Sequence, residues 1–340
     1  MVKEVAVVIL NWNGKALLER YLPGVVKHSA PHPVYVVDNN SSDDSEAYVR
    51  SKFPNVGWIQ TGENLGYAGG YNEGLKSINE PYSILLNSDV RTTPGWINPI
   101  FDHFEEHPSC AALQPKILWD RDSEKFEYAG ASGGFMDALG YPFCRGRVLH
   151  HLESDIGQYN QPRKVFWATG ACLAVRTEVF KELGGLDPML FAHMEEIDLC
   201  WRMQRAGYEV WVQPESTVYH LGGATLQMDS PKKTFLNFRN NLSILVKNLP
   251  HASAMALVFV RLILDGVAGL KFVFEGKPKH TFAILKAHFA FYGRFSRIQR
   301  ARAKTAKYPF KKLSELTGTY PGSMVWQVYA KGKTKFSEFF

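Results

Sequence analysis

The sequence predicts an α/β fold, in which a mostly parallel sheet is flanked by helices and a basic helical extension follows. The first observation is that apolar, β-branched runs alternate with helix-forming stretches in the first third of the chain. The predicted strands are residues 5–10, 34–37, 56–60 and 82–86, with helices at residues 15–27 and up to residue 52. Strands and helices that alternate in this way form parallel sheets with helices on both faces.

The second observation is that small polar side chains directly follow three of these strands. Asn11 and Asn13 follow the first strand, Asp38 follows the second, and the Asn-Ser-Asp run at 87–89 follows the fourth. Ordinary turn chemistry explains any one of these clusters, because Asn, Asp and Ser favour loops. Three clusters at the carboxyl edge of one parallel sheet favour a ligand site instead.

Residues 63–74 form a glycine-rich segment, which we expect to be a loop that a ligand approaches closely. The segment has neither the Gly-Lys-Ser/Thr ending of a Walker motif nor the G-x-G-x-x-G pattern of dinucleotide-binding folds. A tight turn before a helix is the alternative interpretation.

The middle region, residues 110–175, combines short strand candidates with glycine-rich turns and has no clear period.

Three carboxylates lie at the predicted start of a later helix: Glu195, Glu196 and Asp198. Acidic residues in a first helical turn complement the helix macrodipole, which is the simplest explanation for them. Phe191 and Met194 lie beside them, however, and apolar surroundings raise the pKa of a carboxyl group. The cluster is therefore also a candidate for proton transfer.

The composition is that of a globular protein, with 45% hydrophobic and 21% charged residues, which excludes disordered, collagen-like and coiled-coil classes. A length of 340 residues suits one large or two modest domains, and we expect a boundary between residues 1–248 and 249–340. The cysteines are far apart and include no C-x-x-C pair, which favours a reducing, cytoplasmic compartment over a disulfide framework or zinc knuckle. They are Cys110, Cys144, Cys172 and Cys200.

The net charge of +6 is unevenly distributed along the chain. Residues 271–340 carry 15 basic and 3 acidic side chains, whereas residues 1–270 carry 24 basic and 30 acidic ones. The basic region is also rich in aromatic residues, a combination that favours the surface of an anionic membrane. A helical appendage packed on the rest of the chain, with solvated charges, is the alternative.

No signal peptide and no run of 18 uncharged apolar residues is visible in the sequence. We therefore expect a cytoplasmic protein that attaches peripherally to the cytoplasmic face of the inner membrane. Nucleic acid is not an expected partner, because no recognised nucleic-acid-binding module accompanies the basic charge.

Five segments occur in the order found in one enzyme family. They are VVILNWNG (7–14), VVDNNSSD (36–43), NLGYAGGYN (64–72), LNSD (86–89) and MEEIDLCWR (194–202). Together they resemble family 2 glycosyltransferases of the GT-A fold, especially the rhamnosyltransferase-like branch, over residues 3–245. The resemblance implies inverting transfer of a sugar from a UDP- or dTDP-linked donor to a glycan or lipid-linked acceptor in surface polysaccharide synthesis.

The resemblance also implies a divalent metal site. In this family an Asn-x-Asp or Asp-x-Asp motif holds Mg²⁺ or Mn²⁺ against the donor diphosphate, which maps to Asn87, Ser88 and Asp89. Asp89 is the expected ligand, and His220 matches a family histidine that completes the coordination. A structural histidine at the end of a strand is the alternative for His220.

Further donor contacts follow from the same resemblance. Asp38 matches the residue that contacts the nucleoside, and Leu10, Asn11 and Asn13 would flank the base and ribose. The glycine-rich segment would line the donor pocket through Asn64, Gly66, Gly69 and Asn72. Arg239 would lie near the diphosphate, with an ordinary position on a surface helix as the alternative.

The catalytic base maps to Glu196, with Glu195 as a second candidate. An acceptor hydroxyl must lose a proton as it attacks the anomeric carbon, and one carboxylate within hydrogen-bond reach can accept that proton. Attack on the face opposite the diphosphate inverts the anomeric configuration, as in inverting glycosidases.

Two other functions stay open. A sugar nucleotidyltransferase would need a glycine-rich loop with Arg or Lys after the first strand, where only Lys15 is present. A catalytically silent carbohydrate- or lipid-binding protein on the same scaffold is the other possibility. The presence of Asp89, Glu196 and His220 together counts against it.

Overall fold

A central sheet covered by helices on both faces forms the body of the protein, seen in a computed structural model that describes residues 4–222 and 230–340. In chain order the strands are β1 (Val5–Asn11), β2 (Val34–Asp38), β3 (Gly57–Gln60), β4 (Tyr82–Asn87), β5 (Val90–Arg91), β6 (Cys110–Trp119), β7 (Asp122–Phe126), β8 (Gly134–Asp137), β9 (Pro142–Cys144), β10 (Arg147–Val148), β11 (His151–Leu152), β12 (Arg163–Lys164), β13 (Cys172–Arg176), β14 (Glu209–His220) and β15 (Thr319–Tyr320).

The helices account for most of the remaining chain. In order they are α1 (Lys15–Ser29), α2 (Ser45–Lys52), α3 (Gly66–Gly74), α4 (Asn98–Glu106), α5 (Thr177–Glu182), α6 (Glu195–Arg205), α7 (Pro231–Asn248), α8 (His251–Phe274), α9 (Pro278–Gly293), α10 (Phe295–Lys304) and α11 (Met324–Lys331).

The strand order of the central sheet is β12-β14-β6-β13-β4-β1-β2-β3. The four strands at one side, β4, β1, β2 and β3, are parallel, which confirms the α/β prediction for the first third of the chain. β13 is antiparallel to both β4 and β6, so the other side of the sheet is mixed. These antiparallel pairs involve strands of the middle region, where the sequence has no regular period.

β1 is buried on both of its faces, as its continuous apolar sequence predicts. Val5 and Val7 pack into one core, while Ala6 and Val8 pack into the other. The register places Asn11 opposite Asp38 and Leu10 opposite Asn87 in the neighbouring strands. The polar residues that follow these strands therefore lie at one edge of the sheet.

The glycine-rich segment contains a helix, so the prediction of a loop was wrong for most of it. α3 covers residues 66–74 despite the low helix propensity of glycine. The reason is close packing: a β-carbon at Gly74 would lie 2.4 Å from Val37 Cγ2, and one at Gly70 would lie 2.5 Å from Leu10 Cδ1. Only glycine lets this helix lie so near to β1 and β2.

The C-terminal region packs against the rest of the protein, and the expected domain boundary at residue 248 stays a prediction. β15 adds to a second sheet, of order β11-β10-β9-β8-β15, by pairing in parallel with β8. One hydrophobic core contains residues from both sides of the expected boundary at residue 248. Within the described ranges, no helix is long and apolar enough to cross a membrane.

Arg205 joins the two regions and provides a test of this packing. Its buried guanidinium donates to the carbonyl oxygens of Thr305, Tyr308 and Pro309 and to Asn248 Oδ1. Arg205→Met should lower the free energy of unfolding by about 2–4 kcal/mol, because it leaves buried acceptors without donors. Denaturant unfolding measures this, with protease sensitivity of the C-terminal region as a second readout.

The exposed Arg50, which pairs with Glu46 one helical turn away, provides the control. Arg50→Met should change the free energy by less than about 0.5 kcal/mol. Equal effects of the two substitutions would show that the C-terminal region does not depend on the Arg205 contacts.

Candidate active site

Asp38 organises the end of β2 that the sequence assigns to the nucleoside. Its carboxylate accepts hydrogen bonds from Asn11 Nδ2 at 2.9 Å, from the Ser41 backbone N–H at 2.9 Å and from Gln60 Nε2 at 3.0 Å. Asn11 lies opposite Asp38 in the β1–β2 register, so strand pairing fixes their contact. The Ser41 hydroxyl also donates to Asp38 Oδ1 at 2.5 Å, so four donors hold the carboxylate of Asp38 in one orientation.

Asn13 and Asn11 complete this polar edge. Asn13 has a positive φ of 50°, and its Oδ1 accepts from the Ser42 backbone N–H at 2.7 Å. Asn11 Oδ1 is buried without a hydrogen-bond partner. A β-carbon at Gly14 would lie 2.4 Å from that oxygen, so glycine keeps the space beside it open. Because unpartnered buried acceptors are uncommon, Asn11 Oδ1 is a candidate to receive a ligand donor.

Asn39, which the sequence analysis did not select, connects this edge to the start of α3. Its Nδ2 donates to Asn64 Oδ1 and to the carbonyl of Gly66, both at 3.0 Å. Its Oδ1 accepts from the Leu65 backbone N–H at 2.9 Å. Asn64 therefore lies beside the β2 edge, at the position where the donor pocket is expected.

Other residues of the glycine-rich segment position the chain that leads to the carboxylates. Both amide atoms of Asn72 bond to the backbone of Leu186, at 2.7 and 2.8 Å. These bonds give the Asn72 side chain a structural role, and its contact with the donor stays a prediction. Gly66 has a φ of +71°, and a β-carbon there would lie 3.1 Å from the Phe191 ring. A β-carbon at Gly69 would lie 2.7 Å from Leu65 Cβ, so Gly69 also serves close packing.

Asp89 and His220 meet although they are 131 residues apart in the sequence. His220 Nε2 lies 3.1 Å from Asp89 Oδ1 and 3.4 Å from Asn87 Nδ2. Asp89 and His220, which we call the Asp–His pair, are both buried. Ser88, which lies between Asn87 and Asp89 in the sequence, is half-buried. The structure thus brings together the residues that the sequence assigns to the metal site.

Glu127 supports His220 from the other side of the ring, with Oε1 3.3 Å from Nδ1. Burial alone would lower the pKa of His220, but the carboxylates of Glu127 and Asp89 outweigh it and raise that pKa to about 10. Sequence reasoning missed Glu127, because it lies in the middle region without a motif. A carboxylate behind a histidine ring is a common support for a metal-ligating histidine.

The donor atoms around His220 fit a hard divalent cation bound together with a diphosphate. Asp89 and His220 provide one carboxylate and one imidazole, and the described residues contain no larger group of His, Cys, Asp and Glu arranged as a metal cluster. Mg²⁺ in particular takes few protein ligands and completes its shell with phosphate oxygens and water. The pair is therefore sufficient for a cation that arrives with a donor diphosphate.

Glu195 and Glu196 begin α6, and each has an Oε2 atom that is buried without a hydrogen-bond partner. Burial raises the pKa of Glu195 well above its ordinary range, and the neighbouring Glu196 charge raises it further. Burial also raises the pKa of Glu196 to about 7. Glu196 is the more accessible of the two, since Glu195 is only 5% exposed.

Asp198, the third carboxylate of the cluster, is structural. It is fully buried, and its carboxylate pairs with Arg202 at 2.9 Å and with Lys247 at 2.8 Å. Burial opposes ionisation, but these two cations together lower the pKa of Asp198 to about 2. Within residues 4–222 and 230–340, neither Glu195 nor Glu196 has such a cation partner, which distinguishes them from Asp198.

Two tyrosines of α3 connect the carboxylate pair to the Asp–His pair. Burial raises the pKa of Tyr67 well above its ordinary value, and the charges of Glu195 and Glu196 raise it further. Burial likewise raises the pKa of Tyr71, and the charge of Asp89 adds to this shift. The two tyrosine rings pack edge to face with centroids 4.9 Å apart. The carboxylate pair and Asp89 therefore each act on one of two tyrosines that contact each other. Tyr67 and Tyr71 lie in a motif that the sequence analysis quoted, but only the fold gives them this position.

Asn240 fixes the segment that precedes Glu195. Phe191, His193 and Met194 all have positive φ angles, an uncommon conformation for such side chains. Asn240 Nδ2 lies within 2.9 Å of the carbonyl oxygens of residues 190, 192 and 193. One amide group of α7 thus holds the backbone turn that presents the carboxylate pair.

Arg239, the neighbour of Asn240, contacts the same segment. Its guanidinium donates to the Leu190 carbonyl at 3.0 Å and to Asn240 Oδ1 at 2.9 Å. Arg239 lines a cavity of about 620 Å³, and none of the other residues predicted to bind the donor or the metal is among the described residues that line it. The position of Arg239 near the donor diphosphate stays a prediction.

The fold and this polar edge define a GT-A glycosyltransferase. The family model described as glycosyltransferase like family 2 matches residues 3–242, and the chain belongs to that family. It is accordingly an enzyme of the hexosyltransferase class.

Known relatives agree with this assignment. The N-acetylglucosaminyl-diphospho-decaprenol L-rhamnosyltransferase of Mycobacterium tuberculosis is 29% identical over 244 residues, covering 64% of this chain and 76% of that protein. Residues 1–349 of TarS from S. aureus superimpose with a TM-score of 0.55 at 16% identity, covering 97% of this chain and 92% of that one. GalNAc-T7 with UDP, GalNAc and Mn²⁺ gives a TM-score of 0.57 at 18% identity, covering 73% and 48%. These two structures support the fold.

Substitution of Asn240 tests the role of the segment before α6. Asn240→Ala should reduce kcat by roughly tenfold or more, because the turn that positions the carboxylate pair loses its amide donor. The affinity for nucleotide diphosphate should stay unchanged. Steady-state kinetics and nucleotide titration measure the two effects. Asn237→Ala, on the same helix, is the matched control, and an equal loss of kcat in both variants would contradict the assignment.

Proposed function

We propose that this enzyme is an inverting, metal-dependent glycosyltransferase, which moves a sugar from a UDP- or dTDP-sugar to a glycan or lipid-linked acceptor in surface polysaccharide synthesis. The observation that carries the proposal is the buried contact between Asp89 and His220 at 3.1 Å. The name of the mycobacterial relative specifies an L-rhamnosyl group and a diphospho-decaprenol acceptor. Rhamnose and a lipid diphosphate are therefore the first candidates for donor sugar and acceptor carrier.

In the proposed site, Asp89 and His220 hold Mg²⁺ or Mn²⁺, and Asn87 and Ser88 lie beside the donor. A divalent cation at this position supplies the positive charge that offsets the developing charge of the diphosphate leaving group. The presence of Mn²⁺ with UDP in the GalNAc-T7 structure supports this choice of cofactor. Glu127 orients His220 through its Nδ1 atom.

The nucleoside half of the donor belongs at the ends of β1 and β2. Asp38 is held by four donors, and Asn11 Oδ1, which has no partner among the described residues, can accept from a base N–H or a ribose hydroxyl. Leu10 forms part of the wall against α3, and Asn13 shapes the turn that closes the edge.

Glu196 is the proposed base. Its unpartnered Oε2 accepts the proton of the acceptor hydroxyl as the oxygen attacks the anomeric carbon. Glu195 keeps its proton more strongly, because it is more deeply buried and lies beside the charge of Glu196. This separates the two carboxyl groups into one base and one neutral neighbour.

The proposed function includes attachment to an anionic membrane through α8 and α9. Phe259 and Phe274 on α8 and Phe289 on α9 are 67%, 87% and 76% exposed. Exposed basic residues accompany them: Lys271, Lys279 and Lys286. Apolar side chains combined with nearby cations are the features of a helix pair that lies in the surface of an anionic bilayer.

The two alternative functions have less support. Lys15, the basic residue near the β1 edge that a nucleotidyltransferase would use for a triphosphate, pairs with Asp44 at 3.1 Å. A silent binding protein has no need for two neighbouring carboxyl groups that lack a cation partner among the described residues and that each have a buried Oε2 atom without a hydrogen-bond partner. Such groups reduce stability, so a catalytic use explains them better.

The donor reaction is tested by supplying UDP- and dTDP-sugars with Mg²⁺ or Mn²⁺ and measuring release of the nucleotide diphosphate. Asp89→Asn should reduce release by roughly 100-fold, since the cation loses its carboxylate ligand. The exposed Asp102→Asn should have no effect. Absence of metal-dependent release with every donor would favour the silent protein, and pyrophosphate release from a nucleoside triphosphate would favour the nucleotidyltransferase.

The role of Glu196 predicts the pH dependence. The titratable groups around it are Glu195, Tyr67, Cys144 and Cys200. Because only the ionised form of Glu196 accepts a proton, kcat/KM should rise with pH up to about 7 and then level off. Glu196→Gln should lower kcat by roughly 100-fold or more and leave donor binding unchanged. A larger loss in Glu195→Gln would assign the base to Glu195.

Membrane attachment is tested by point substitution, because deletion of the C-terminal region would open the shared core. Phe259→Ser with Phe289→Ser should weaken binding to phosphatidylglycerol vesicles by roughly tenfold or more, since apolar area no longer enters the bilayer. Vesicle sedimentation measures the binding. Ile156→Ser changes a side chain of 85% exposure outside these helices and is the control. Unchanged sedimentation of the double variant would contradict membrane attachment.

A further inference from the structure

A cavity of about 620 Å³ lies between α7, α10 and the segment that leads to the carboxylate pair. We refer to it as the basic cavity, because Lys or Arg contributes half of its twelve lining residues. These are Lys232, Arg239, Arg294, Arg297, Arg300 and Lys304. Five of these residues were not assigned to the donor or metal site. The sixth, Arg239, is predicted from the family resemblance to lie near the donor diphosphate.

The positive charge of the basic cavity is not compensated within the described part of the chain. No Asp or Glu among residues 4–222 and 230–340 forms an ion pair with any of the six basic side chains. Asp187 also lines the cavity, but its carboxylate pairs with Lys247 at 2.5 Å. Like charges held together in this way attract an anion of more than one charge.

Arg239 makes the site more than an exposed basic patch. It is only 4% exposed, and burial followed by the nearby charge of Arg294 lowers its pKa to about 10. Its guanidinium has neutral partners alone, the Leu190 carbonyl and Asn240. A buried cation without a counter-charge is costly, and an anionic ligand in the cavity would remove that cost.

The position of the basic cavity relates it to the acceptor rather than to the donor. Phe191 lines the cavity and lies four residues before Glu195, so the two are separated by at most about 14 Å of extended chain. On the other side, Arg294 directly follows α9, which carries the exposed Phe289 and Tyr292. The lining of the cavity is thus close along the chain both to the carboxylate pair and to the exposed aromatic residues of α9.

We propose that the basic cavity binds the phosphate or diphosphate of a prenyl-linked acceptor, whose lipid chain extends along α9 and whose sugar reaches Glu196. This inference rests on the proposed glycosyltransferase function and specifies the class of its acceptor. Arg297 and Arg300, one helical turn apart on α10, are suited to hold the two ends of one diphosphate, because arginine binds phosphate oxygens through paired hydrogen bonds.

The test measures binding of farnesyl diphosphate and of farnesol to the full chain by calorimetry. EDTA is present and no donor is added, so that the metal-dependent diphosphate site does not compete. The wild type should bind farnesyl diphosphate more tightly than farnesol. Arg297→Ala with Arg300→Ala should weaken farnesyl diphosphate binding by roughly tenfold or more. Both residues are exposed, so the fold should persist.

Lys52→Ala with Arg121→Ala removes the same charge from exposed positions outside the cavity and should leave binding unchanged. Equal affinity of the wild type and the Arg297/Arg300 variant for farnesyl diphosphate would overturn the inference. The inference would also be overturned if the Arg297/Arg300 variant kept its affinity for farnesyl diphosphate and lost only its binding to phosphatidylglycerol vesicles. The cavity would then bind lipid headgroups.

Metal-dependent nucleotide release, measured without acceptor, separates this inference from the proposed function. The Arg297/Arg300 variant should release nucleotide at the wild-type rate, because its donor site is intact. If the wild type releases nucleotide normally but does not bind farnesyl diphosphate, the acceptor inference alone is removed. Failure of the wild type to release nucleotide would instead remove the glycosyltransferase mechanism on which it rests.

Discussion

The contact between Asp89 and His220 is the interaction on which the geometry of the site depends. Strand pairing imposes it: β5 is antiparallel to β14 and places Val90 opposite His220, so Asp89 in the preceding turn lies beside the histidine. The Leu221 backbone N–H donates to the Asp89 carbonyl at 3.1 Å and closes the same turn. Glu127 then holds the other ring nitrogen. A cation bound by Asp89 and His220 would take the place of the hydrogen that now joins these two side chains.

Two kinds of buried carboxylate lie on one helix, and their surroundings decide what each can do. Asp198 is neutralised by Arg202 and Lys247 and stays ionised. Glu195 and Glu196 have no such cations and hold their protons more strongly. Burial of unpaired carboxyl groups costs several kcal/mol, and the turn before them has three residues of positive φ. The contacts of Asn240 and the surrounding core maintain this unfavourable arrangement.

Local apolar runs predicted the parallel half of the sheet, whereas the meeting of Asp89 and His220 was predicted from the family resemblance. Long-range contacts were beyond reach. No sequence motif around Glu127 indicates that this residue lies beside His220. The hydrogen bonds of Asn72 are made with Leu186, which is 114 residues away in the sequence. The helix at residues 66–74 was missed because packing against β1 and β2 overrides glycine propensity. β15 has only two residues, too few to show the alternation of apolar and polar residues that predicts a strand. The pairing of the C-terminal region with β8 therefore could not be predicted from the sequence.

The central claim is that one diphosphate binds between the Asp–His pair and the carboxylates of α6. The most direct measurement is a crystal structure with a UDP- or dTDP-sugar and Mn²⁺, in which anomalous scattering locates the metal. We predict Mn²⁺ bonded to Asp89 and to His220 Nε2, with the Glu196 carboxylate on the face of the anomeric carbon opposite the diphosphate. A metal bound elsewhere, with Asp89 and His220 still in direct contact, would contradict the claim.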